Sequence, residues 1–320
     1  MSKYEKINTD DLRLCYNPFM DMHRFFGQNI LRSFFDLKGA RMKIRYILSI
    51  LTAKFAIIAC RLFRRGGTSL PGKLALKIYP NVLRETAKNF RIIMVTGTNG
   101  KTTTTKMIGQ ILKDNNIGYI TNKSGANLVS GIVTTFIENV NYRGDSGVST
   151  ALLEIDEAAF NAVTNHISPD ILVVTNFFRD QLDRYGELYT TVENVASGIR
   201  KSPNAKLVLN ADDSLCASLG KNAGNEVIYY GFDPGACKGV ADSGSSDANF
   251  CIYCKTRYEY DSYIYGHLGW FRCPTCGYAR PESNVACTEV EELSATGSAI
   301  RLRLAKPSCI KSDTDNTEQF

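Results

Sequence analysis

Between Arg91 and Thr105 the chain reads Arg-Ile-Ile-Met-Val-Thr-Gly-Thr-Asn-Gly-Lys-Thr-Thr-Thr-Thr. Few folds accept such a stretch. Four apolar residues in a row suit a strand buried on both faces of a parallel sheet. Gly97 and Gly100 then let backbone N–H groups turn inward, with no Cβ in the way. Lys101 adds a point charge, and Thr102 opens a helix whose N–H groups and dipole favour an anion. The spacing is a shortened phosphate-binding loop, Gly-Thr-Asn-Gly-Lys-Thr, because the position five before Gly100 is Val95. Strand, turn, Lys-Thr and helix follow in the order that nucleotide phosphates require. Gly97, Thr98, Asn99, Gly100, Lys101, Thr102 and Thr103 are the expected ATP-binding residues.

Downstream the pattern repeats. Ala151-Leu152-Leu153-Glu154-Ile155-Asp156-Glu157, Asp170 to Asn176 and Lys206 to Asp213 are apolar runs ending in polar groups, and Gly118 to Thr121 is a shorter one. Strands alternating with helices predict a doubly wound, mostly parallel α/β sheet with its site along one edge. Glu154, at the end of a strand, is the expected magnesium ligand with Thr102, since an acid there otherwise lies stranded among apolar neighbours. Asp156 and Glu157 read as first-turn residues of the next helix. For Asn210 two readings stay open, a contact to adenine and a helix cap.

Cys251-x-x-Cys254 and Cys273-x-x-Cys276 stand eighteen residues apart. Two such knuckles bring four thiolates to one tetrahedral zinc with no open position, so the zinc is structural. Tyr258, Tyr260, Tyr263, Tyr265 and Trp270 suit the cover of such a metal, and scaffold or docking is favoured over nucleic-acid binding. His267 reads as a surface or packing residue. The other six of the ten cysteines form no framework, which points to a reducing cytosol. The first forty residues mix charge with aromatics around no apolar core, so no signal peptide is expected, and a net charge of +6 over 320 residues demands no nucleic-acid partner.

Residues 1–41 read as an extension of unknown role, and Met42 is a candidate start. Ile47, Leu48, Leu51, Phe55, Ile58 and Leu62 lie on one helical face, so 42–66 reads as an amphipathic helix. It is shorter than the about 20 apolar residues of a membrane span. A membrane surface and packing on the next domain both remain open for it. Gly66 to Gly72 reads as a linker leading to a helix at Lys73–Ile78, and residues 306–320 as a disordered tail.

Together Gly67–Gly72, Gly97–Thr104, Gly125–Asn127, Leu153–Glu157, Asn176–Glu187, Leu209–Asp213 and the four cysteines resemble the Mur ligases. More narrowly, they resemble the Mur-ligase-like subunits of lipid II isoglutaminyl synthases. The resemblance implies a central ATP-binding domain over 67–245 and 284–305, with a zinc ribbon inserted at 246–283. It implies ATP, magnesium and structural zinc, a glutaminase subunit as partner, and lipid II as substrate at the inner face of the plasma membrane. The implied reaction, in peptidoglycan synthesis, converts the D-glutamate of the stem peptide into D-isoglutamine. Where ordinary Mur ligases carry a histidine this chain has Gln181, and no lysine follows in 190–196. The family's third domain, with its catalytic acid, is expected to be missing after Ala305, and a chain ending at Phe320 is expected not to amidate lipid II unaided. A non-catalytic nucleotide- and zinc-binding remnant and a folylpolyglutamate synthase are the alternatives.

Overall fold

The computed structural model describes residues 42–62, 69–123, 125–178, 187–221, 223–236, 248–293 and 297–305. Residues 1–41, 179–186 with Gln181, and 306–320 lie outside them. The chain divides into two compact units, 1–48 and 49–320. Of the first, residues 42–48 are described and are helical, with Met42, Ile44, Ile47 and Leu48 exposed. The helix over residues 42–62, α1, carries the amphipathic pattern.

In the second unit, α2 (Leu70–Ile78) and α3 (Val82–Ala87) lead into β1 (Arg91–Thr96), followed by α4 (Lys101–Asp114) and β2 (Tyr119–Thr121). Next come α5 (Val129–Asn139), β3 (Thr150–Glu154), α6 (Glu157–Val163), β4 (Ile171–Val174), α7 (Glu187–Arg200) and β5 (Lys206–Asn210). The chain continues through α8 (Ser214–Lys221), β6 (Val227–Phe232), the hairpin β7 (Glu259–Tyr265) and β8 (Leu268–Arg272), then β9 (Val285–Leu293) and β10 (Ser298–Leu304). The eight-stranded sheet runs β10-β9-β6-β5-β4-β1-β3-β2, and β7 and β8 form a sheet of their own. Every neighbouring pair in the large sheet is parallel except β9 with β10. The doubly wound, mostly parallel sheet expected from the sequence is therefore the fold.

Order reverses beside β1, which lies between β3 and β4. Diverging connections there leave a crevice at the carboxyl ends of the strands, where ligands bind in such sheets. β1 is buried from Ile92 to Thr96, as its unbroken apolar run requires. Ile93 and Val95 share one face, and with Leu152 and Val173 they take up Ile108 and Leu112 of α4. That packing fixes where the helix N-terminus points.

The segment read as a linker is partly helix: α2 begins at Leu70 and takes Pro71 and Gly72 into its first turn. Proline suits that position because its missing N–H would be unpaired anyway. Gly72 donates its N–H to Thr134 Oγ1 at 3.0 Å, and a Cβ there would stand 1.9 Å from the Ser130 carbonyl oxygen. This glycine therefore allows α2 to lie directly against α5. The sequence reading also omitted β6, whose residues are only half-buried and follow no sharp alternation.

Candidate nucleotide and metal sites

The loop after β1 is built to expose backbone N–H groups. Gly97 has φ +120° and Gly100 has φ +82°, values that favour glycine. At Gly97 a Cβ would also stand 2.4 Å from Thr175 Oγ1 and 2.8 Å from the Asn176 carbonyl oxygen. The strap that follows β4 holds the loop from outside. Thr98 donates its N–H to the Asn176 carbonyl at 2.8 Å, and Phe178 donates its N–H to Thr98 Oγ1 at 3.1 Å. The Asn176 amide closes on the Asn99 backbone, its oxygen accepting the N–H at 3.0 Å and its nitrogen donating to the carbonyl at 3.2 Å.

Lys101 Nζ donates to the carbonyls of Gly97 and Thr98 and to Glu157 Oε2 at 3.1 Å. Both members of this ion pair are mostly buried, with side chains 15% and 16% exposed. The lysine is thereby held in the turn of the phosphate loop. Of the two acids read as first-turn residues, Asp156 caps α6 by accepting the Ala158 N–H at 3.0 Å, whereas Glu157 reaches across to Lys101. Sequence could not separate them, because the partner lies 56 residues away.

Thr102 and Glu154 are brought together: the threonine hydroxyl donates to Glu154 Oε2 at 2.8 Å. One hydroxyl and one carboxylate at a phosphate loop offer hard oxygen ligands to a magnesium-sized cation. Asn122, not singled out from the sequence, fixes this carboxylate's backbone. Its oxygen accepts the Glu154 N–H and its nitrogen donates to the Glu154 carbonyl, both at 2.9 Å. The available signal was its position just past β2, the same polar group at a strand end that marked Glu154.

Two strands from the loop, about 10 Å at normal strand spacing, Asn210 ends β5. Its amide nitrogen donates to the Thr175 carbonyl and its oxygen accepts the Asp212 N–H, both at 3.0 Å. Much of this amide's capacity braces neighbouring strand ends. A cavity of 220 Å³ opens beside it, walled by Tyr230, Phe232, Ile264 and Leu268.

In the ribbon, the sulfurs of Cys251, Cys254, Cys273 and Cys276 all lie within 4.8 Å of one another. A tetrahedral zinc with bonds of ~2.3 Å holds its sulfurs about 3.8 Å apart, so the four thiols fit one ion. Lys255, with φ +63°, and Gly277, with φ +73°, make the turns after each Cys pair. Tyr258, Phe271 and Tyr278 pack with Cys251 and Cys273 into one buried cluster. Trp270, expected among this cover, instead lies 4.2 Å beneath the Arg280 guanidinium.

Residues 95–267 match the family model of the Mur ligase middle domain. The chain belongs to the Mur ligase family. It is 38% identical over 255 residues to the MurT subunit of the glutamine-hydrolyzing lipid II isoglutaminyl synthase of Streptococcus pneumoniae, a match covering 79% of this chain and 56% of that protein. The MurT subunit of Staphylococcus aureus strain N315 is 38% identical over 241 residues, covering 75% of this chain and 53% of that one. This Mur ligase chain thus spans about half the length of the curated relatives it matches. Among solved structures, MurF from Acinetobacter baumannii aligns at 19% identity with a TM-score of 0.41, over 49% of this chain and 34% of that one. No helix among the described residues is long and apolar enough to cross a membrane.

In this member of the family the ribbon is locked to the sheet by buried charge. Arg280 Nε donates to Asp212 Oδ1 at 2.6 Å, with both side chains 3% exposed. Burial pushes the Asp212 carboxyl up to about 6 despite the guanidinium beside it. Arg280 and Trp270 both donate to the Phe232 carbonyl, at 3.0 and 2.9 Å, and the Tyr278 hydroxyl donates to the Ser214 carbonyl at 2.7 Å. Removing one partner of such a pair strands the other charge. Arg280→Met is expected to lower unfolding free energy by about 3–5 kcal/mol, read as a shifted urea midpoint; an unchanged midpoint would count against this lock.

His267, read as a surface or packing residue, is fully buried beneath the phosphate-loop strap. Its ring centroid lies 4.6 Å from that of Phe178, and its Nε2 lies 3.7 Å from Asp213 Oδ1. Asp213 also accepts the Phe177 N–H at 2.6 Å. The β7–β8 turn therefore supports the same strap that grips Thr98. The sequence offered no signal for this contact, since it joins segments about ninety residues apart.

Proposed function

We propose that this chain is the nucleotide-binding part of an ATP-dependent amide ligase that acts on lipid II. In this reading it activates the α-carboxylate of D-glutamate in the stem peptide, and a glutaminase subunit supplies ammonia to give D-isoglutamine. The observation that carries the reading is the meeting of Thr102 Oγ1 and Glu154 at 2.8 Å beside Lys101. The names of the MurT relatives direct it to lipid II and to a glutamine-hydrolysing assembly.

The loop N–H groups and the start of α4 bind the phosphates. Lys101, turned from Glu157, places its ammonium against the β- and γ-phosphate oxygens, where charge moves during transfer. Thr102 and Glu154 hold magnesium, which when bound neutralises phosphate charge. The cavity beside Asn210 receives the adenine, and the amide's second N–H and second lone pair are its means of contact. A carboxylate oxygen of the substrate attacks the γ-phosphorus and the bond to the β-phosphate oxygen breaks, releasing ADP. Ammonia then adds to the acyl phosphate carbon, phosphate leaves with the carbonyl–oxygen bond, and the surplus proton passes to solvent. A carboxylate has no leaving group of its own, which is why ATP is needed.

Calorimetry with Mg-ATP is expected to show one site per chain, and no heat at millimolar nucleotide would end the proposal. Thr102→Val with Glu154→Gln should weaken Mg-ATP binding about tenfold or more by removing both cation ligands. Metal-free ATP should be affected far less. The substrate is tested by mass spectrometry of lipid II after incubation with Mg-ATP, glutamine, the glutaminase subunit and a carboxy-terminal Mur domain. The expected product carries an amide in place of one carboxyl, and ADP formation driven by folate and glutamate instead would overturn the lipid II reading.

A further inference from the structure

Residues 49–62 of α1 have two apolar sides. Ile50, Ala53 and Ile57, all within the second unit, are buried, at 0%, 0% and 8% exposure. Leu51, Phe55, Ile58 and Leu62 are 53%, 73%, 63% and 78% exposed, and their spacing of four, three and four places them along one stripe. Four large apolar side chains in a row on a helix that is already packed have no role in folding that unit. An exposed stripe of this kind marks an interaction surface.

Charge identifies what it fits. From Leu37 to Arg84 the sequence holds eleven lysines and arginines and no aspartate or glutamate. Lys54 lies within the stripe's own span, and Arg61 is 67% exposed while its guanidinium reaches Glu138 of α5 at 3.1 Å. Among the described residues Lys123, at 3.8 Å, shares that carboxylate. A second copy of the same helix would bring cations to cations with no acid to offset them. A nucleic acid offers phosphates but nothing to cover the stripe. An anionic bilayer surface offers both, phosphates for the cations and acyl chains for the leucines and phenylalanine.

We infer that α1 is an interfacial helix that lays Leu51, Phe55, Ile58 and Leu62 into the surface of an anionic phospholipid bilayer while Ile50, Ala53 and Ile57 keep it fixed to the protein. The helix lies on the membrane and does not span it. This inference stands apart from the ligase reading, because it calls on neither nucleotide nor lipid-linked peptide. It resolves the two options open for the helix, since one side packs and the other is left for lipid.

The test is co-sedimentation of the full chain with vesicles of phosphatidylglycerol and phosphatidylcholine, compared with vesicles of phosphatidylcholine alone, without nucleotide. Binding is expected to the anionic vesicles only and to weaken as salt rises. Phe55→Ser/Ile58→Ser should reduce it by about tenfold or more through lost apolar burial, and Lys54→Gln should reduce it less. Leu51→Ser/Leu62→Ser is the second variant, and an unchanged far-UV circular dichroism spectrum and urea midpoint show that each retains its fold. Failure to bind anionic vesicles, equal binding to both kinds, or full binding by both serine variants would overturn the inference. So would stripe-dependent self-association or stripe-dependent capture of the glutaminase subunit without vesicle binding, since either would assign the face to protein.

Discussion

Lys101→Ala is expected to abolish measurable Mg-ATP binding, a loss of about a hundredfold or more. The lysine is the one side-chain cation held inside the turn among the described residues, between the carbonyls of Gly97 and Thr98. A hydrogen bond to a charged group contributes about 1.5–3 kcal/mol, and each 1.4 kcal/mol is about tenfold in affinity. The loss also uncovers Glu157, whose carboxylate is paired with Lys101 and would face the incoming phosphates without a counter-charge. Repulsion then adds to the lost attraction. Lys101→Arg keeps the charge but replaces a compact ammonium by a planar fork, so it should bind more weakly than wild type and more tightly than the alanine variant. Calorimetry on the three proteins settles this, and near-wild-type affinity in Lys101→Ala would exclude the loop as the phosphate site.

Removing zinc should have the second large effect, and it should reach beyond the ribbon. Binding free energy at a four-cysteine structural site is about 10–16 kcal/mol and acts as folding energy, comparable with the whole stability of a typical domain. Without the metal, the cluster of Tyr258, Phe271 and Tyr278 has no centre. Purified protein should carry one zinc per chain by elemental analysis, and Cys273→Ser/Cys276→Ser should carry none. The chain has a single tryptophan, and its ring packs beneath Arg280 with its N–H on the Phe232 carbonyl. Its emission therefore reports the ribbon and its seat on the sheet, and should shift to the red when zinc is withdrawn. Because the β7–β8 turn places His267 beneath Phe178, and Phe178 holds Thr98, Mg-ATP affinity should fall about tenfold as well. Zinc-free protein with unchanged tryptophan emission and unchanged affinity would refute both the structural metal and its link to the loop.

These two predictions differ in how far they could be made from sequence. The first could be written almost entirely from residues 91–105. A phosphate loop is a local object: glycines with positive φ, a lysine and a helix start follow one another along the chain, and their chemistry needs no distant partner. The same holds for the four cysteines, whose spacing within each pair sets the knuckle geometry. Apolar runs ending in polar groups likewise announced a parallel sheet, because burial on both faces leaves no other composition for its strands. Glu154 could be singled out because a carboxylate among apolar neighbours must have a partner.

Tertiary structure decided everything that depends on which strand ends become neighbours. Placing β1 between β3 and β4 brings Thr102 onto Glu154, Glu157 onto Lys101 and Asn176 onto Asn99, pairs more than fifty residues apart. Asn122 carried only the weak signal of a polar group past a strand end, and Arg280 carried none, since an arginine inside a ribbon reads as an ordinary surface residue until its partner is known. For His267 the sequence left surface and packing both open, and the structure selects packing, because its burial depends on the docking of a hairpin whose sequence is rich in polar and aromatic residues. Local periodicity records what a segment hides, and only the assembled sheet shows against what it is hidden.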